Sequence, residues 1–270
     1  EVLGGDGSLM SISGSGTIWH AHGEVEITLV SSGEGTRFVG DSIMPFVAPD
    51  VVMIGPELPH FWRFSSESSG VVLQFNPTRL AGLWTIDEAL QLEGFWPRLN
   101  RGCHVQDEMR DRVAGHLSCM AEARGIARIG ILLELLHDVS QCDEKLIRPL
   151  SAKAYNAGKL FPMRHKMNLA VQYLLDHYQQ PIALDDLLDL THMSKPSFSR
   201  HFRSFTGKTF IEFLNEVRID ECCRALVSSR DPVTEIAISA GFASLAHFNR
   251  TFRRLMDATP SSYRKKWQTS

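Results

Sequence analysis

Apolar residues in the last hundred positions recur at helical spacing, and the pattern occurs twice. The segment from Met193, MSKPSFSRHFRSFTGKT, aligns without a gap with the segment from Ala243, ASLAHFNRTFRRLMDAT. At this constant offset of fifty residues the identical pairs are Ser194 and Ser244, Phe198 and Phe248, Arg200 and Arg250, Phe202 and Phe252, Arg203 and Arg253, and Thr209 and Thr259. Identities that hold one register indicate a duplicated structural unit.

Each copy predicts an amphipathic helix with an aromatic buried side and a basic outer side. The apolar positions are Phe198, Phe202 and Phe205 in the first copy, and Phe248, Phe252 and Leu255 in the second. Arginines and small polar residues occupy the opposite side of each helix. We therefore interpret the phenylalanines as core residues rather than as residues that stack on bases.

A shorter apolar helix precedes each amphipathic helix. Its apolar residues are Leu184, Leu187 and Leu188 in the first copy, and Val233, Ile236, Ala237 and Ala240 in the second. Gly241 lies where the short helix must stop and the chain must reverse, and Ser194 and Ser244 are placed as N-caps. A short helix, a tight turn and a second helix form a helix-turn-helix, whose second helix enters the DNA major groove.

The first seventy-five residues alternate between polar and apolar instead. In IWHAHGEVEITLV, from Ile18, one face of the predicted strand carries His20, His22, Glu24, Glu26 and Thr28. Further strands are predicted at Thr36–Val39, Val51–Ile54, His60–Phe64 and Val71–Phe75. Several short strands separated by turn residues favour an antiparallel barrel or sandwich.

Two amphipathic helices are predicted between these regions, at His104–Ala121 and Arg124–Ser140, with Gly125 at their junction. Their apolar positions are Val105, Met109, Val113, Leu117 and Met120, then Ile129, Leu132, Leu133 and Leu136. One interpretation is that both helices pack on the barrel. The other is that they also form a homodimer interface, with Leu132, Leu133 and Leu136 in or near it.

The patterns together predict an α+β protein of two domains. We expect an antiparallel barrel over residues 1–100, a helical hairpin over 101–141, a linker over 142–165, and an all-α DNA-binding domain over 166–270. Within the last domain a long helix, at about Phe210–Leu226, joins the two helix-turn-helix units, and a closing helix follows Pro260.

Charge is divided unevenly between these parts. The formal net charge of −3 argues by itself against a nucleic-acid partner. Residues 164–270, however, hold 15 lysines and arginines against 11 aspartates and glutamates, while the remainder holds 13 against 20. The basic C-terminal part agrees with DNA binding.

The five cysteines are odd in number and show no Cys-x-x-Cys spacing, which indicates neither a disulfide framework nor a zinc site. No signal peptide or membrane-spanning apolar run is evident in the sequence. These features predict a cytoplasmic protein without a membrane partner.

Positions on the two amphipathic helices suggest roles on DNA. Arg200 and Arg250 are candidates for base or phosphate contact, because arginine pairs bidentately with guanine. Polar contacts could come from Ser197, Ser199, Ser244, His247 and Asn249, and phosphate contacts from Lys195, Arg203 and Arg253. Pro196 and Ser197 lie near the start of the first amphipathic helix, and their side chains donate few hydrogen bonds. The first unit is therefore expected to read few bases directly.

The polar strand face offers a second kind of chemistry. Two imidazoles and a carboxylate, from His20, His22 and Glu26, with His60 from another strand, suit zinc or a first-row transition metal. A metal-free pocket for a hydroxylated or anionic molecule is the second interpretation, and a solvated strand face is the third. The predicted effector-binding residues are His20, His22, Glu24, Glu26, His60 and Trp62. A divalent metal is thus one of the alternative ligands of this strand face, and the sequence alone establishes no cofactor.

The C-terminal part resembles the AraC family of transcription regulators through the paired units and the block GFASLAHFNRTFRRLMDATPSSYR, from Gly241 to Arg264. The N-terminal part resembles the cupin-type sensor domains of such regulators. Gly14, His20, His22, Glu26 and Gly33 match the first cupin motif, and Pro56, Pro59 and His60 lie near the second, which lacks its Pro-x-Gly and closing Asn.

This resemblance implies a regulator that places both second helices in successive segments of the major groove of double-stranded DNA. It also implies control by a small-molecule effector, for example a sugar, a metal held by His20, His22, Glu26 and His60, and RNA polymerase as a further partner. The alternative is a metal-dependent cupin enzyme, against which the duplicated helix-turn-helix argues. An architectural DNA-binding protein is a third class, which the polar strand face disfavours.

Overall fold

The computed structural model describes residues 2–3, 9–10, 19–155 and 163–267, and it divides the chain into two compact units, Glu1–Leu160 and Phe161–Ser270. Strands dominate the first unit, and the second unit is helical. This arrangement confirms the predicted α+β class. The region in which polar and apolar residues alternate forms strands, and the region with helical spacing forms helices.

The strands of the N-terminal unit form two sheets. In chain order they are β1 (Val2–Leu3), β2 (Leu9–Met10), β3 (Val25–Ser32), β4 (Glu34–Val39), β5 (Ser42–Val47), β6 (Asp50–Ile54), β7 (His60–Phe64), β8 (Ser69–Phe75), β9 (Cys103–Val105) and β10 (Ile147–Pro149). The larger sheet has the order β10-β9-β6-β3-β8-β1-β2, and the smaller has β5-β4-β7. Among the strands that the structure describes, every pairing is antiparallel except that of β1 with β8. Neither sheet closes on itself over the residues described, so the predicted barrel is not confirmed.

The strand expected from Ile18 begins only at Val25, because the chain bends at Gly23. His20 instead pairs with His60 in an isolated bridge. The other four predicted strands are present, three of them one or two residues longer. Strand β5 was not predicted, since it contains Pro45, which strands accept mainly at an edge, and β5 is an edge strand. The cupin-motif residue Gly14 lies outside the described residues.

The helices of the N-terminal unit are α1 (Trp96–Leu99), α2 (Asp107–Glu122) and α3 (Ile126–Gln141). Their apolar sides pack on one face of the larger sheet, where Val25, Ile27 and Leu29 of β3 are buried. Residues 77–100, expected to belong to the barrel domain, contain no strand and include α1 and the 3-10 helices Pro77–Leu80, Leu83–Thr85 and Asp87–Leu92. The interpretation that the hairpin packs on the strand domain therefore agrees with the structure.

Two details of this hairpin differ from the prediction. Residues Cys103–Val105 are strand β9, so α2 starts at Asp107 rather than at His104. On α3, Leu132 and Leu136 are buried in the core, whereas Leu133 is exposed. Of the three leucines predicted in or near a dimer interface, only Leu133 is therefore placed to contact a partner directly. Apolar residues surround more than one side of α3, and periodicity alone does not tell which side faces the sheet.

The segment predicted as a linker belongs in part to the N-terminal unit. Strand β10 pairs with β9, and Ser151 and Tyr155 are buried. Ser151 Oγ donates a hydrogen bond to Asp41 Oδ1 at 2.7 Å. The linker prediction rested on proline and glycine, which mark loops but do not exclude a short edge strand.

The C-terminal unit consists of helices α4 (Arg164–His177), α5 (Leu184–Thr191), α6 (Lys195–Thr206), α7 (Phe210–Ser228), α8 (Val233–Ser239), α9 (Leu245–Met256) and α10 (Pro260–Trp267). Phe198, Phe202, Phe205, Phe248 and Phe252 are buried, as the helical periodicity predicted. Helix α7 joins the two helix pairs and contributes Ile219, Cys222 and Leu226 to the core of the second. In the part of the chain that is described, no helix is both long and apolar enough to cross a membrane.

Candidate nucleic-acid interface and histidine cluster

The first helix pair consists of α5 and α6. The carboxylate of Asp186 accepts a hydrogen bond from the backbone N–H of Ala183 at 2.8 Å, which satisfies a free amide at the start of α5. Helix α5 ends at His192, whose backbone is left-handed with φ of 50°. Ser194 occupies the N-cap position of α6, but its side chain makes no capping hydrogen bond.

The second helix pair, α8 and α9, uses different residues at the same places. Gly241 forms the turn with φ of 90°, and a Cβ at this position would lie 2.5 Å from the carbonyl oxygen of Tyr178. Ser244 Oγ accepts a hydrogen bond from the backbone N–H of His247 at 3.2 Å and so caps α9. A glycine is thus required at position 241, both because φ is positive and because the backbone carbonyl of Tyr178 lies too close for a Cβ.

Arg218 of α7 connects the segment that follows α4 to the turn of the second helix pair. Its Nε donates to the carbonyl of Tyr178 at 2.7 Å, and a terminal nitrogen donates to the carbonyl of Gln180 at 2.9 Å. The guanidinium also lies 5.9 Å from the centre of the Phe242 ring, within range of a cation–π contact. Sequence reasoning missed this residue, because its partners are backbone carbonyls 40 and 38 positions away in the chain.

The predicted DNA-contacting side chains lie on the outer surfaces of α6 and α9. Those that are exposed are Lys195, Ser199, Arg200, Arg203, Ser244, Asn249, Arg250 and Arg253, while Ser197 and His247 are half-buried. Arg254, which was not predicted, is exposed beside them. Over the described residues, the arginines of α6 and α9 make no ion pair or hydrogen bond, so their guanidinium groups are available to an outside anion.

His247 stands at the start of α9 among these cations. Partial burial, and then the positive charges of Arg250, Arg218 and Arg254, hold the pKa of the His247 imidazole below its usual value. A neutral imidazole carries one donor and one acceptor nitrogen. His247 can therefore hydrogen-bond to a base edge without adding a further charge to the helix.

In the N-terminal unit the structure brings four predicted residues together. One ligand atom from each of His20, His22, Glu26 and His60 lies within 4.8 Å of all the others. His22 Nε2 is 3.0 Å from Glu26 Oε2, and His60 Nε2 is 3.5 Å from the same oxygen. Glu26 and His60 are buried, whereas His20 and His22 are half-buried.

The hydrogen bonds of the imidazoles orient this cluster. The Nδ1 of His60 lies 2.7 Å from the carbonyl oxygen of Leu58, and the Nδ1 of His22 lies 3.2 Å from that of Glu24. Since a carbonyl only accepts, both Nδ1 atoms carry a proton. The Nε2 atoms point into the cluster: His22 Nε2 hydrogen-bonds to the Glu26 carboxylate, which requires a proton on that nitrogen as well, and His60 Nε2 is buried without a hydrogen-bond partner.

Glu26 is held in its charged form. Burial raises the pKa of its carboxyl, but the electrostatic interaction with His60 and the hydrogen bonds from His22 and Thr28 lower that pKa well below its usual value. For His22 the signs are reversed. Burial lowers the pKa of its imidazole, but the hydrogen bond to Glu26 and the charge of Glu26 raise that pKa overall. Gln74 Nε2, from β8, donates to Glu26 Oε2 at 2.8 Å and was missed by sequence reasoning, because one glutamine in a strand carries no signal.

The two remaining predicted residues lie at the margin of the cluster. Glu24 is half-exposed, with a carboxylate oxygen 3.6 Å from His22 Nδ1. The ring of Trp62 is buried, and its centre lies 5.7 Å from that of His60. Thr28, from the same predicted strand face, donates its hydroxyl to Glu26 Oε1 at 2.6 Å.

Comparison with known proteins places the helix pairs in a defined group. Residues 187–266 match the family model of a helix-turn-helix domain. The chain is 30% identical over 246 residues to an uncharacterised HTH-type transcriptional regulator of Staphylococcus aureus strain MSSA476, a match that covers 88% of this chain and 31% of that protein. It is 33% identical over 109 residues to an uncharacterised HTH-type transcriptional regulator of Haemophilus influenzae, covering 40% of this chain and 37% of that one.

Among solved structures, the chain is similar to the DNA-binding domain of AdpA, a global transcriptional factor, in complex with a target DNA. This match has 29% identity and a TM-score of 0.37, and it covers 38% of this chain and 94% of that one. The chain spans about a third of the length of the Staphylococcus aureus relatives that it matches. Residues 187–266 thus contain a helix-turn-helix domain, and the relatives that the chain matches are HTH-type transcriptional regulators.

Proposed function

We propose that the chain is a sequence-specific DNA-binding transcription regulator of the AraC type, which binds DNA through both helix pairs. The observation that supports this most is the repeated placement of exposed, unpaired arginines on α6 and α9. Three arginines elsewhere in the unit are used internally: Arg218 and Arg264 donate to backbone carbonyls, and Arg224 pairs with Glu221. Surface arginines that serve no internal purpose, at equivalent positions of two helices, fit an extended anionic partner.

The expected roles follow from position along each helix. In a helix-turn-helix the N-terminal half of the second helix faces the base edges. Arg200 and Arg250, on the second turn, are assigned to bases, with Ser197, Ser199, His247 and Asn249 beside them. Lys195, Arg203 and Arg253 are assigned to phosphates, which orient the protein without reading sequence.

The test is a binding titration with DNA sites selected by the full chain from a random duplex library. Arg250→Ala should weaken binding to the selected site by about 1–3 kcal/mol and relax the preference at one base pair. Arg230→Ala is the matched control, because Arg230 is an exposed arginine of the same unit outside α6 and α9. Equal losses in the two variants would mean that charge alone, and not the helix position, governs binding.

We infer that the histidine cluster controls this binding by taking up an effector, and the donor set favours a divalent metal. Nitrogen atoms from His20, His22 and His60 and one oxygen from Glu26 are the ligand types that zinc and first-row transition metals prefer. Nδ1–H bonds to backbone carbonyls orient two of the imidazoles, as is common for metal-binding histidines. A bound metal would neutralise the Glu26 carboxylate and use the unpaired Nε2 of His60.

A small hydroxylated or anionic molecule is the second candidate effector. The buried Trp62 beside His60 and the half-exposed Glu24 beside His22 would add an aromatic face and an acceptor. An effector of either kind can change DNA affinity only if it binds two conformational states of the chain with different affinities.

Metal content and DNA affinity should be measured on the same samples. Zinc or manganese should bind the full chain, and His22→Ala and Glu26→Gln should each reduce metal affinity about 10–100-fold or more. His137→Ala, a change at an exposed histidine of α3, should have no effect. Metal-independent DNA binding in all samples would remove the metal as an effector, and unchanged metal content in His22→Ala would place the metal elsewhere.

A homodimer is the assembly that we propose, with the exposed side of α3 in the interface. Ile126, Ile129 and Leu133 follow one another at helical spacing and are exposed, Ile126 by 81%. Two protomers would match a repeated DNA site. Sedimentation of the full chain should show a dimer, and Leu133→Glu should weaken it. Glu134→Lys, a change at the next exposed position, is the control and should leave the dimer intact. A monomeric parent chain would contradict the proposal.

A further inference from the structure

Arg218, near the middle of α7, is a buried cation that has no carboxylate partner. Its side chain lies in the interior of the C-terminal unit, and the residue is 9% exposed. Within residues 163–267 its guanidinium forms no ion pair and donates to backbone carbonyls instead. A buried charge is unfavourable unless other groups compensate it. The neighbours that compensate Arg218 therefore indicate what it does.

The carbonyls that accept from Arg218 lie at the C-terminal end of α4. Tyr178 is the C-cap residue of that helix, and its carbonyl accepts from Arg218 Nε at 2.7 Å. Arg218 Nη2 donates to the carbonyl of Gln180 at 2.9 Å. The last carbonyls of a helix have no intrahelical donor and carry partial negative charge, so they can stand in for a carboxylate. Helix α4 packs against α5 and α6, and Arg218 thus holds the helix that supports the first helix pair.

The same guanidinium reaches the turn of the second helix pair. A Cβ on Gly241 would lie 3.0 Å from Arg218 Nε and 2.9 Å from the carbonyl oxygen of Gln179. The Phe242 ring, 5.9 Å from the guanidinium, contacts the His247 ring edge-to-face at 5.5 Å between centres. His247 is one of the residues assigned to base edges. Two ring contacts therefore connect Arg218 to the DNA-facing side of α9.

The other contacts of α7 with the two helix pairs are largely apolar. In its N-terminal half, Phe213 packs edge-to-face on Phe202 of α6, with 5.9 Å between ring centres. In its C-terminal half, Ile219 and Cys222 are buried in the core of the second pair. Apolar contacts are non-directional, whereas a guanidinium fixes both the length and the direction of its hydrogen bonds. Arg218 lies between the two apolar contacts and can fix their relative orientation.

We propose that Arg218 is a positioning residue, which holds α9 at a fixed place relative to α6 and so fixes the number of base pairs between the two DNA elements that the unit reads. This inference rests on the proposed function, in which both helices enter the major groove. Successive groove segments on one face of the duplex are about 34–36 Å, or 10–10.5 base pairs, apart. One added base pair rotates one element by about 34–36° relative to the other, and two helices held at a fixed spacing cannot follow that rotation without strain.

The experiment measures the preference for one spacing. The full chain selects a site from a random duplex library, and the two elements of that site are then moved one base pair apart or one base pair closer. Either change should weaken binding by about tenfold or more in the parent chain, but by less than about threefold in Arg218→Met. Circular dichroism and urea unfolding establish that each variant is folded under the conditions of the titration.

Arg264→Met is the matched control. Arg264 also donates to two backbone carbonyls, to Leu226 at 3.2 Å and to Asp231 at 2.6 Å. These carbonyls belong to the end of α7 and to the segment before α8, so the substitution removes two hydrogen bonds without touching α4. Arg264→Met should keep the spacing preference of the parent chain. An equal relaxation in Arg264→Met would attribute the effect to a general loss of stability and would overturn the inference.

A purely stabilising role for Arg218 gives a different result. Arg218→Met would then weaken binding at every spacing by the same factor and keep the preference of the parent chain, which would overturn the inference. Arg218→Lys keeps the cation but lacks the planar fork that reaches both carbonyls, so its spacing penalty should lie between those of the parent chain and Arg218→Met. If Arg218→Met does not fold, a reduced penalty in Arg218→Lys supports the inference, and an unchanged penalty overturns it.

The parent chain by itself tests the proposed function. A selected site with a single element, or a parent chain that tolerates every spacing, would contradict binding through both helix pairs and would remove this inference with it. A strict spacing in the parent chain that both Arg218 variants retain would overturn the role of Arg218 alone. Binding through both helix pairs would then stand.

Discussion

The two helix-turn-helix units share a core but differ at the ends of their helices. Phe198 and Phe202 in the first unit and Phe248 and Phe252 in the second are all buried. At the turns, however, His192 takes the left-handed conformation in one unit and Gly241 takes it in the other. The repeated aromatic residues fix how each helix pair packs, while the turns and caps are free to diverge.

The surfaces at the start of the two second helices diverge as well. Helix α6 begins with Lys195, Pro196 and Ser197, whereas α9 begins with Leu245, Ala246 and the neutral His247. The first unit thus has a cation at the start of its second helix, and the second unit has an uncharged hydrogen-bond donor and acceptor there. We infer that the first unit mainly positions the protein and that the second mainly reads bases.

The largest effect is expected at the turns. Gly241→Ala should lower the free energy of unfolding by about 3 kcal/mol, because the new Cβ combines positive φ with contact to the Tyr178 carbonyl. His192→Gly, at the turn of the first unit, should change it by less than about 1 kcal/mol, since relief of a left-handed backbone offsets the entropy of glycine. Urea unfolding of both variants measures the difference, and similar losses would show that the two turns are equally constrained.

The next effect separates base reading from positioning. Arg250→Ala and Arg200→Ala should each reduce affinity for the selected DNA site by roughly 1–3 kcal/mol, but only Arg250→Ala should broaden the preferred sequence. Repeating the library selection with each variant provides the measurement. A broadened preference in Arg200→Ala, with none in Arg250→Ala, would reverse the roles of the two units.

The C-terminal unit was predictable because its signals are local. A repeat in one register and a helical period identify α6 and α9, and glycine marks a turn that no other residue fits easily. Arg218 was not predictable, since its partners Tyr178 and Gln180 are about forty positions away and are reached through backbone carbonyls. Long-range contacts of this kind leave no spacing in the sequence.

The N-terminal unit was harder to predict for the same reason. The four residues of the histidine cluster were found, because two imidazoles and a carboxylate stand close together in the chain. The ion pairs of Asp50 with Arg37 and His104 were not predicted, because these three residues come from three strands that meet only in the folded unit. The extent of α3 was nearly right, but the side that faces the sheet depends on a packing partner that periodicity does not specify.

Capping should produce a smaller difference between the units. Ser244→Ala should destabilise the chain by about 1 kcal/mol, because it removes the hydrogen bond from the His247 amide. Ser194→Ala should have almost no effect, since Ser194 makes no capping bond. Thermal unfolding of the two variants gives the comparison. A loss in Ser194→Ala equal to that in Ser244→Ala would mean that Ser194 caps α6 in solution.

The smallest effect concerns the first turn of α6. Lys195 is exposed at the start of the helix and makes no ion pair with the residues described. If it contacts a phosphate, Lys195→Ala should weaken binding to selected and unselected DNA by the same factor. It should also reduce the slope of log affinity against log salt by about one. Leu245→Ala, at the equivalent position of α9, should leave that slope unchanged because it removes no charge. An effect of Lys195→Ala confined to the selected site would instead assign this lysine to a base, and the first unit would then read sequence as the second does.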